Sequence, residues 1–126
     1  MIYSVHPKFN EDMTSFLKKH HQDDGWLFKL QNLLINHFEK NAVILGVNVL
    51  APLKEYGDYK LWKVYMAVGG VSKNNRPRVC FAKRDNEIIF LCFGTHINNY
   101  NTKELIVLGI KRIKEFIGAT HSIQNR

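Results

Sequence analysis

The sequence predicts a small α+β domain, in which a strand and two helices precede three antiparallel strands and a C-terminal helix. Three observations support this fold class. Apolar residues recur at helical spacing before residue 40 and again after residue 101. Between these segments, β-rich runs flank a tight polar turn at 84–86, which is typical of a hairpin. With 126 residues, 45% of them hydrophobic, the chain is long enough for one modest core.

The N-terminal part is predicted to contain one strand and a pair of helices. Ile2–Val5 is short and alternating, and Pro7 ends it. Helical spacing then relates the apolar residues of two segments, namely Phe9, Met13, Phe16 and Leu17, followed by Trp26, Leu27, Leu30, Leu33, Leu34 and Phe38. Asp23 or Asp24 is expected to cap the second helix, which should end near Lys40. We expect the two helices to form a hairpin across one face of the sheet.

The middle of the chain is expected to enter the sheet at residue 60. Over 42–58 we expect irregular structure, with a short strand as the alternative, because Gly46, Pro52 and Gly57 interrupt the apolar runs. A strand follows over 60–68, and its alternation puts Lys63 and Tyr65 on the same face.

The predicted hairpin gathers polar groups that are suited to chemistry. If the turn pairs Lys83 with Glu87, Arg78 lies opposite Cys92. Alternation then places Arg76, Arg78, Phe90 and Cys92 on one face, while Ile89, Leu91 and Phe93 point toward a core. His96 follows on the side of Arg78, and Tyr100 comes four residues later. In this register Cys80 and Cys92 are offset, so buried reduced thiols are expected rather than a disulfide, which suits a cytosolic protein.

The last helix is expected to begin near Thr102 and to complete a single domain over 1–118. Its predicted buried stripe is apolar, and Lys111, Arg112 and Lys114 are expected outside the stripe or at its edge; the stripe consists of Leu105, Ile106, Gly109, Ile110, Ile113, Phe116 and Ile117. Residues 119–126 are expected to form a flexible tail. Neither a signal peptide nor a membrane span is expected.

The charge balance favours a polyanionic partner. The chain has 18 Lys and Arg residues against 11 Asp and Glu residues, a formal net charge of +7. Residues 60–84 include no acidic side chain, although surfaces without such a partner usually mix both signs. Besides Lys63 and Arg78, the basic residues of this span are candidate RNA contacts: Lys60, Lys73, Arg76, Lys83 and Arg84.

Four residues are candidates for cleavage of a phosphodiester bond. Attack by a 2′-hydroxyl needs a base, an acid and positive charge around phosphorus, and a metal is not obligatory. His96 can exchange a proton near neutral pH, whereas Arg78 and Lys63 can hold phosphate oxygens. Tyr100 offers a ring for stacking or a hydroxyl for proton transfer. No metal-ligand spacing or phosphate-binding glycine loop occurs, and the remaining histidines, including His6, are expected at the surface or an interface.

Each of these four residues also has a structural interpretation. Arg78 could pair with an acid across the sheet, and Lys63 could be an ordinary solvated strand residue. His96 could be a simple loop residue, and Tyr100 could pack on the last helix. The convergence of these residues on one face favours the functional interpretation.

In its order of elements and in three short motifs, the chain resembles the RelE/ParE superfamily of toxins from type II toxin-antitoxin systems. The motifs are Leu61-Trp62-Lys63-Val64, Arg78-Val79-Cys80-Phe81, and Gly94-Thr95-His96 with Tyr100. The last of these is similar to the ending of the YafQ branch. Tyr65, however, stands where RelE-like toxins often carry a second cationic residue, and Cys92 stands where the YafQ branch has an arginine.

The resemblance implies a RelE/YafQ-like mRNA interferase, a cytoplasmic endoribonuclease that cuts mRNA in the ribosomal A site without a metal or other cofactor. Arg78 would then stabilise phosphate charge and His96 would be the general acid or base. Lys63 would contact phosphate, and Tyr100 would orient or stack on the substrate. A cognate antitoxin would be the main partner in any oligomer. The alternatives are a ParE-like, non-enzymatic toxin that binds DNA gyrase, and a nucleic-acid-binding module on the same fold.

Overall fold

The computed structural model describes residues 1–19, 25–40, 49–65, 77–94 and 102–124. Over these ranges the chain is an α+β domain in the predicted order, with one further strand in the sheet. The elements are β1 (Ile2–Val5), α1 (Pro7–Lys19), α2 (Trp26–Phe38), β2 (Val49–Tyr56), β3 (Tyr59–Tyr65), β4 (Arg78–Arg84), β5 (Glu87–Gly94) and α3 (Thr102–Gln124). None of the helices is long and apolar enough to cross a membrane over the described ranges.

Helix α1 forms where the sequence predicts it, and its start is capped by a histidine. The buried residues of α1 are the four that the spacing selected: Phe9, Met13, Phe16 and Leu17. The Nδ1 atom of His6 accepts a hydrogen bond from the backbone N–H of Lys8 at 3.1 Å, as an N-cap side chain does. Pro7 fits the first helical position because its missing N–H would have no partner there.

Helix α2 also follows the prediction, although its cap does not. The residue before Trp26 is Gly25, which makes no side-chain capping bond, and both Asp23 and Asp24 lie outside the described residues. The helix packs beside α1 on one face of the sheet, as expected for a helical hairpin.

The sheet has the strand order β1-β5-β4-β3-β2, with β1 parallel to β5 and the other neighbours antiparallel. Strand β2 shows that part of the segment 42–58 forms a strand, whereas residues 42–48 lie outside the described residues. Its interruption by Pro52 is tolerated because β2 lies at the sheet edge, and the register shifts between Pro52 and Lys54.

The predicted register of the β4–β5 hairpin is wrong. Arg84 pairs with Glu87 across a turn in which Asp85 has a φ of 51°, a left-handed conformation that aspartate tolerates better than most residues. Lys83 therefore pairs with Ile88 rather than with Glu87. A shift of one residue moves the predicted side-chain partners along the whole hairpin.

A bulge in β5 adds a second correction. Phe81 pairs with Phe90 and Cys80 pairs with Cys92, so that Leu91 is the extra residue. Phe90 pairs with Phe81 before the bulge, so the one-residue shift at the turn already removes it from the predicted face of Arg78. The bulge then brings Phe93 to the same face as Phe90, toward the helical hairpin. Arg78 lies opposite Gly94, not Cys92.

Both faces of the sheet are covered by helices. The face toward α1 and α2 buries Val64, Val79, Phe81, Ile88, Phe90 and Phe93. The opposite face buries Tyr59, Leu61, Cys80, Ala82, Ile89, Leu91 and Cys92 beneath Leu105 and Ile113 of α3. The two faces therefore have separate cores, and each predicted site residue can be assigned to one of them.

Helix α3 departs from the prediction in its length and in one buried cation. It continues to Gln124, whereas a flexible tail was predicted from Ala119 onward; after Gly118 no glycine or proline interrupts the described helix. Arg112 is buried, with 7% of its surface exposed, although it was expected outside the apolar stripe or at its edge.

Candidate nucleic-acid interface

Two cations and one aromatic ring form a compact cluster on the α3 face of the sheet. Tyr65 of β3 pairs directly with Arg78 of β4, and Lys63 precedes Tyr65 by two residues on the same face. The Nζ atom of Lys63 donates a hydrogen bond to the Tyr65 hydroxyl at 3.2 Å. The Lys63 Nζ and the Arg78 Cζ each lie 5.0 Å from the centroid of the Tyr65 ring. One ring thus holds both cations.

The position of this cluster follows from strand alternation. The buried residues Tyr59 and Leu61 begin the same face of β3, and Lys63 and Tyr65 continue it. Both of these later side chains are half-buried, as is Arg78. A cation over a ring is attracted by the negative face of the π system, and this attraction offsets the repulsion between two cations that share one ring.

The cluster lies at the end of the sheet where β5 ends. Arg78 pairs with Gly94, the last residue of β5. His96 and Tyr100 follow this glycine in the sequence but lie outside the described residues, as do Lys73 and Arg76. The structure therefore brings together Lys63 and Arg78 of the predicted site. It adds Tyr65, which in the sequence is only a departure from the toxin pattern.

The other predicted RNA contacts are divided between the two faces of the sheet. Lys60 and Lys83 pair with each other on the face of α1 and α2. Arg84 belongs to the α3 face, but it lies at the opposite end of β4 from Arg78, about 20 Å away along the strand. Arg84 also forms an ion pair with Glu87 at 3.2 Å. These residues do not form one continuous basic surface with Lys63 and Arg78.

Aromatic rings accompany the basic side chains on both faces. Ammonium or guanidinium groups lie over rings in four further pairs: Lys60 over Trp62 at 5.1 Å, Lys83 over Phe38 at 5.0 Å, Arg84 over Tyr59 at 4.5 Å and Lys114 over Tyr56 at 5.7 Å. Rings stack on bases and cations bind the backbone, so interleaving the two is a common arrangement in proteins that bind single-stranded nucleic acid.

The two cysteines lie in the core beneath α3. Cys80 and Cys92 lie directly opposite each other rather than offset as predicted, and both are buried free thiols. A hydrogen bond to Cys92, together with burial, raises the pKa of the Cys80 thiol well above its usual value. A thiol with a raised pKa is a poor nucleophile because the reactive species is the thiolate.

A polar cluster that the sequence did not predict lies where α1 and α3 approach each other, and it joins buried His6 and Arg112 to the partly exposed Asp12 and Glu115. The Arg112 guanidinium lies 3.8 Å from the carboxylate of Asp12, and the Nε2 atom of His6 lies 3.9 Å from that of Glu115. His6 is 5% exposed, although it was expected at the surface or an interface. Two signals were present in the sequence: His6 directly precedes a proline at a helix start, and Arg112 follows the buried Gly109 by three residues.

Burial and charge shift two pKa values in this cluster. Burial lowers the pKa of His6, and the nearby Arg112 lowers it further against the opposing effect of Glu115. Burial raises the pKa of Asp12, and Arg112 opposes that rise. A His6 with a lowered pKa is neutral at pH 7, which agrees with the role of its Nδ1 atom as a hydrogen-bond acceptor.

The described residues contain no group of three or more His, Cys, Asp or Glu side chains that could hold a metal ion. Comparisons of the chain with protein families, with characterised proteins and with solved structures find no match. The geometry of the sheet is therefore the basis for a proposal about function.

Proposed function

We propose that the protein is a ribosome-dependent mRNA endonuclease, a cytoplasmic toxin that a cognate antitoxin neutralises. The observation that supports this proposal is the cluster of Lys63, Tyr65 and Arg78 beside Gly94. His96 follows Gly94 by two residues, and two residues span at most about 7 Å. In the proposal, the imidazole of His96 acts on a phosphodiester that Arg78 and Lys63 bind.

The proposed reaction is attack of a 2′-hydroxyl on the adjacent phosphorus, with departure of the 5′-oxygen of the next nucleotide. Arg78 and Lys63 bind the non-bridging oxygens and stabilise the negative charge that grows in the transition state. His96 transfers a proton as general acid or base, and Tyr100 stacks on or orients the substrate. The reaction needs no metal, because the cations supply the charge stabilisation.

Tyr65 has a defined place in this proposal. It stands where similar toxins often carry a cation, but its hydroxyl and ring contact both Lys63 and Arg78. We infer that the ring holds the two cations in position for one phosphate, although the site has one positive charge fewer than a site with a cation in place of Tyr65.

The experiment is to add purified protein to ribosomes programmed with mRNA and to map new 5′ ends by primer extension. Cleavage within the A-site codon is expected for the wild-type protein, and Arg78→Ala should reduce it by about 10²-fold or more through lost transition-state stabilisation. Lys111→Ala is the matched control, because Lys111 is exposed on α3 and is not assigned to the site.

Intact mRNA with the wild-type protein would contradict the proposal. The same preparation should then be assayed for inhibition of supercoiling by DNA gyrase, which a ParE-like toxin would cause. Inhibition of gyrase by both wild-type protein and Arg78→Ala would favour the non-enzymatic alternative.

A further inference from the structure

A pair of lysines faces the side of the sheet opposite the proposed catalytic cluster. Lys60 of β3 and Lys83 of β4 are direct cross-strand neighbours. Side chains in such positions have Cβ atoms about 4.5–5.5 Å apart, and two like charges there destabilise the sheet. The arrangement therefore needs an explanation beyond the stability of the sheet.

Within the described part of the chain, neither lysine has a carboxylate at ion-pair distance. Glu55 is the cross-strand neighbour of Lys60 on β2, but the two side chains form no ion pair. The carboxylate of Glu39, at the end of α2, lies 3.3 Å from the amino terminus at Met1. The contacts that the lysines do make are with the rings of Trp62 and Phe38, and with the backbone oxygen of Asp85, to which Lys83 donates.

The ring of Trp62 has the features of a stacking platform. It is half-buried and is supported by Phe38, whose ring centroid lies 5.2 Å away in an edge-on arrangement. His37 supports another side at 6.4 Å, and its buried Nδ1 atom has no hydrogen-bond partner among the described residues. Lys60 covers the ring with a flexible side chain, which can move to a phosphate and leave the ring to a base.

We propose that Lys60, Trp62 and Lys83 form a nucleotide-binding subsite for single-stranded RNA. The two ammonium groups bind one backbone phosphate, which removes their mutual repulsion, and the adjoining base stacks on Trp62. The subsite lies on the face of α1 and α2, whereas Lys63, Tyr65 and Arg78 lie on the face of α3. The inference concerns RNA binding and does not depend on cleavage.

Tryptophan fluorescence tests this subsite directly. The chain has two tryptophans, so that Trp26→Phe leaves Trp62 as the only indole. Titration of this variant with a short oligouridylate should quench the Trp62 emission in a saturable way, since a stacked base quenches indole fluorescence. Inorganic phosphate should compete with the oligonucleotide without producing the same quench.

In the same background, Lys60→Gln with Lys83→Gln should weaken binding and reduce its dependence on salt. For single-stranded RNA, the logarithm of the binding constant falls with the logarithm of salt concentration, with a slope of about 0.7 for each phosphate that the protein neutralises. The double variant no longer neutralises the shared phosphate, so the slope should be smaller by about 0.7. Measured by anisotropy of a labelled oligonucleotide, Trp62→Leu should weaken binding by about 5- to 150-fold. Lys29→Gln with Lys111→Gln, at two exposed helix positions, is the matched control.

The proposal fails if Trp62 shows no quench, or if the Lys60 and Lys83 double variant binds as tightly as the control. If the double variant has a lower melting temperature but binds RNA normally, the lysines stabilise the end of α2 and do not bind RNA. If Trp62→Leu does not fold, the lysine variants carry the test alone. If the protein cleaves ribosome-bound mRNA but the oligouridylate leaves the Trp62 emission unchanged, this inference is overturned and the proposed function stays intact.

Discussion

The guanidinium of Arg112 donates a hydrogen bond from Nη1 to the backbone oxygen of Leu91 at 2.8 Å. Leu91 is the extra residue of the bulge in β5 and has no cross-strand partner in the register of either neighbouring strand. Arg112 therefore satisfies a buried carbonyl that the bulge leaves out of the ladder, and it connects α3 to the centre of the sheet.

Arg112→Met should consequently destabilise the fold even though it keeps an apolar side chain of similar length. It leaves the Leu91 oxygen unpaired, and a hydrogen bond from a charged group contributes about 1.5–3 kcal/mol. Urea unfolding should show a loss of this size in the free energy of unfolding. Lys111→Met, one residue away and exposed, should change it by less than about 0.5 kcal/mol. Equal effects of the two changes would show that the bond to Leu91 contributes nothing.

His6 should make stability depend on pH between its ordinary pKa and a lower value in the fold. Because its folded pKa is lowered from 6.5, the unfolded chain binds more protons in this window. Stability from His6 is therefore present above pH 6.5 and is lost as the pH falls toward the lowered pKa. The raised pKa of Asp12 has the opposite effect on stability. In the pH window just above 3.8 the folded chain binds more protons at Asp12, so stability from this group increases as the pH falls.

His6→Asn separates these effects, because asparagine can keep the cap on α1 but does not titrate. Melting temperatures at pH 7.5 and 5.5 should differ less for this variant than for the wild-type protein. Identical differences for the two proteins would exclude His6 as a source of the pH dependence.

Two glycines of α3 should respond to alanine in opposite directions. A Cβ atom at Gly109 would lie 3.0 Å from the Sγ of Cys80 and 3.6 Å from a methyl carbon of Leu61, whereas one at Gly118 would meet nothing within 4 Å. Gly118→Ala should stabilise the protein by about 0.5–1 kcal/mol through helix propensity. Gly109→Ala should destabilise it by about 1–3 kcal/mol through overpacking. Thermal unfolding measures both changes, and a stabilising Gly109→Ala would show that α3 can move away from β4.

Tyr65 should matter through its ring more than through its hydroxyl. Tyr65→Phe keeps the ring beneath Lys63 and Arg78 and should lower the rate of mRNA cleavage by only a few-fold. Tyr65→Leu removes both cation–π contacts, each worth about 0.5–1 kcal/mol at an exposed site, and should lower the rate by about 10-fold. Equal rates for the two variants would mean that the ring does not position the cations.

Local patterns in the sequence were sufficient to predict that the three helices exist and which face of α1 is buried, but not where α3 ends. The apolar residues of α1 are spaced within one amphipathic helix, so the pattern identifies its buried face without knowledge of the rest of the fold. The face of β3 that carries Lys63 and Tyr65 was predicted correctly for the same reason, since alternation is a local property.

Features that depend on pairing between strands could not be predicted in this way. Nothing in the run from Glu87 to Gly94 marks Leu91 as a bulge, which depends on how β4, β5 and α3 pack together. The prediction that Phe90 and Arg78 share a face failed at the turn, where Arg84 rather than Lys83 pairs with Glu87. The burial of Arg112 was missed for a related reason, because its partner is the carbonyl that the bulge leaves free.

The candidate site was predicted in part. Lys63 and Arg78 were selected from the sequence, and the structure places both against Tyr65. Lys60 and Lys83 lie on the other face of the sheet because side chains alternate along β3 and β4. A count of basic residues along the sequence does not take this alternation into account.

The central claim is that Arg78 and His96 act together on one phosphodiester bond. The most direct measurement is the single-turnover rate of cleavage of ribosome-bound mRNA by the wild-type protein, by Arg78→Ala, by His96→Gln and by the double variant. Glutamine can form hydrogen bonds but cannot exchange protons near neutral pH, so His96→Gln should slow cleavage by about 10²–10⁴-fold while ribosome binding is retained. The double variant should be little slower than the slower single variant, because groups that act as a unit are not additive. Cleavage by His96→Gln at the wild-type rate would contradict the claim.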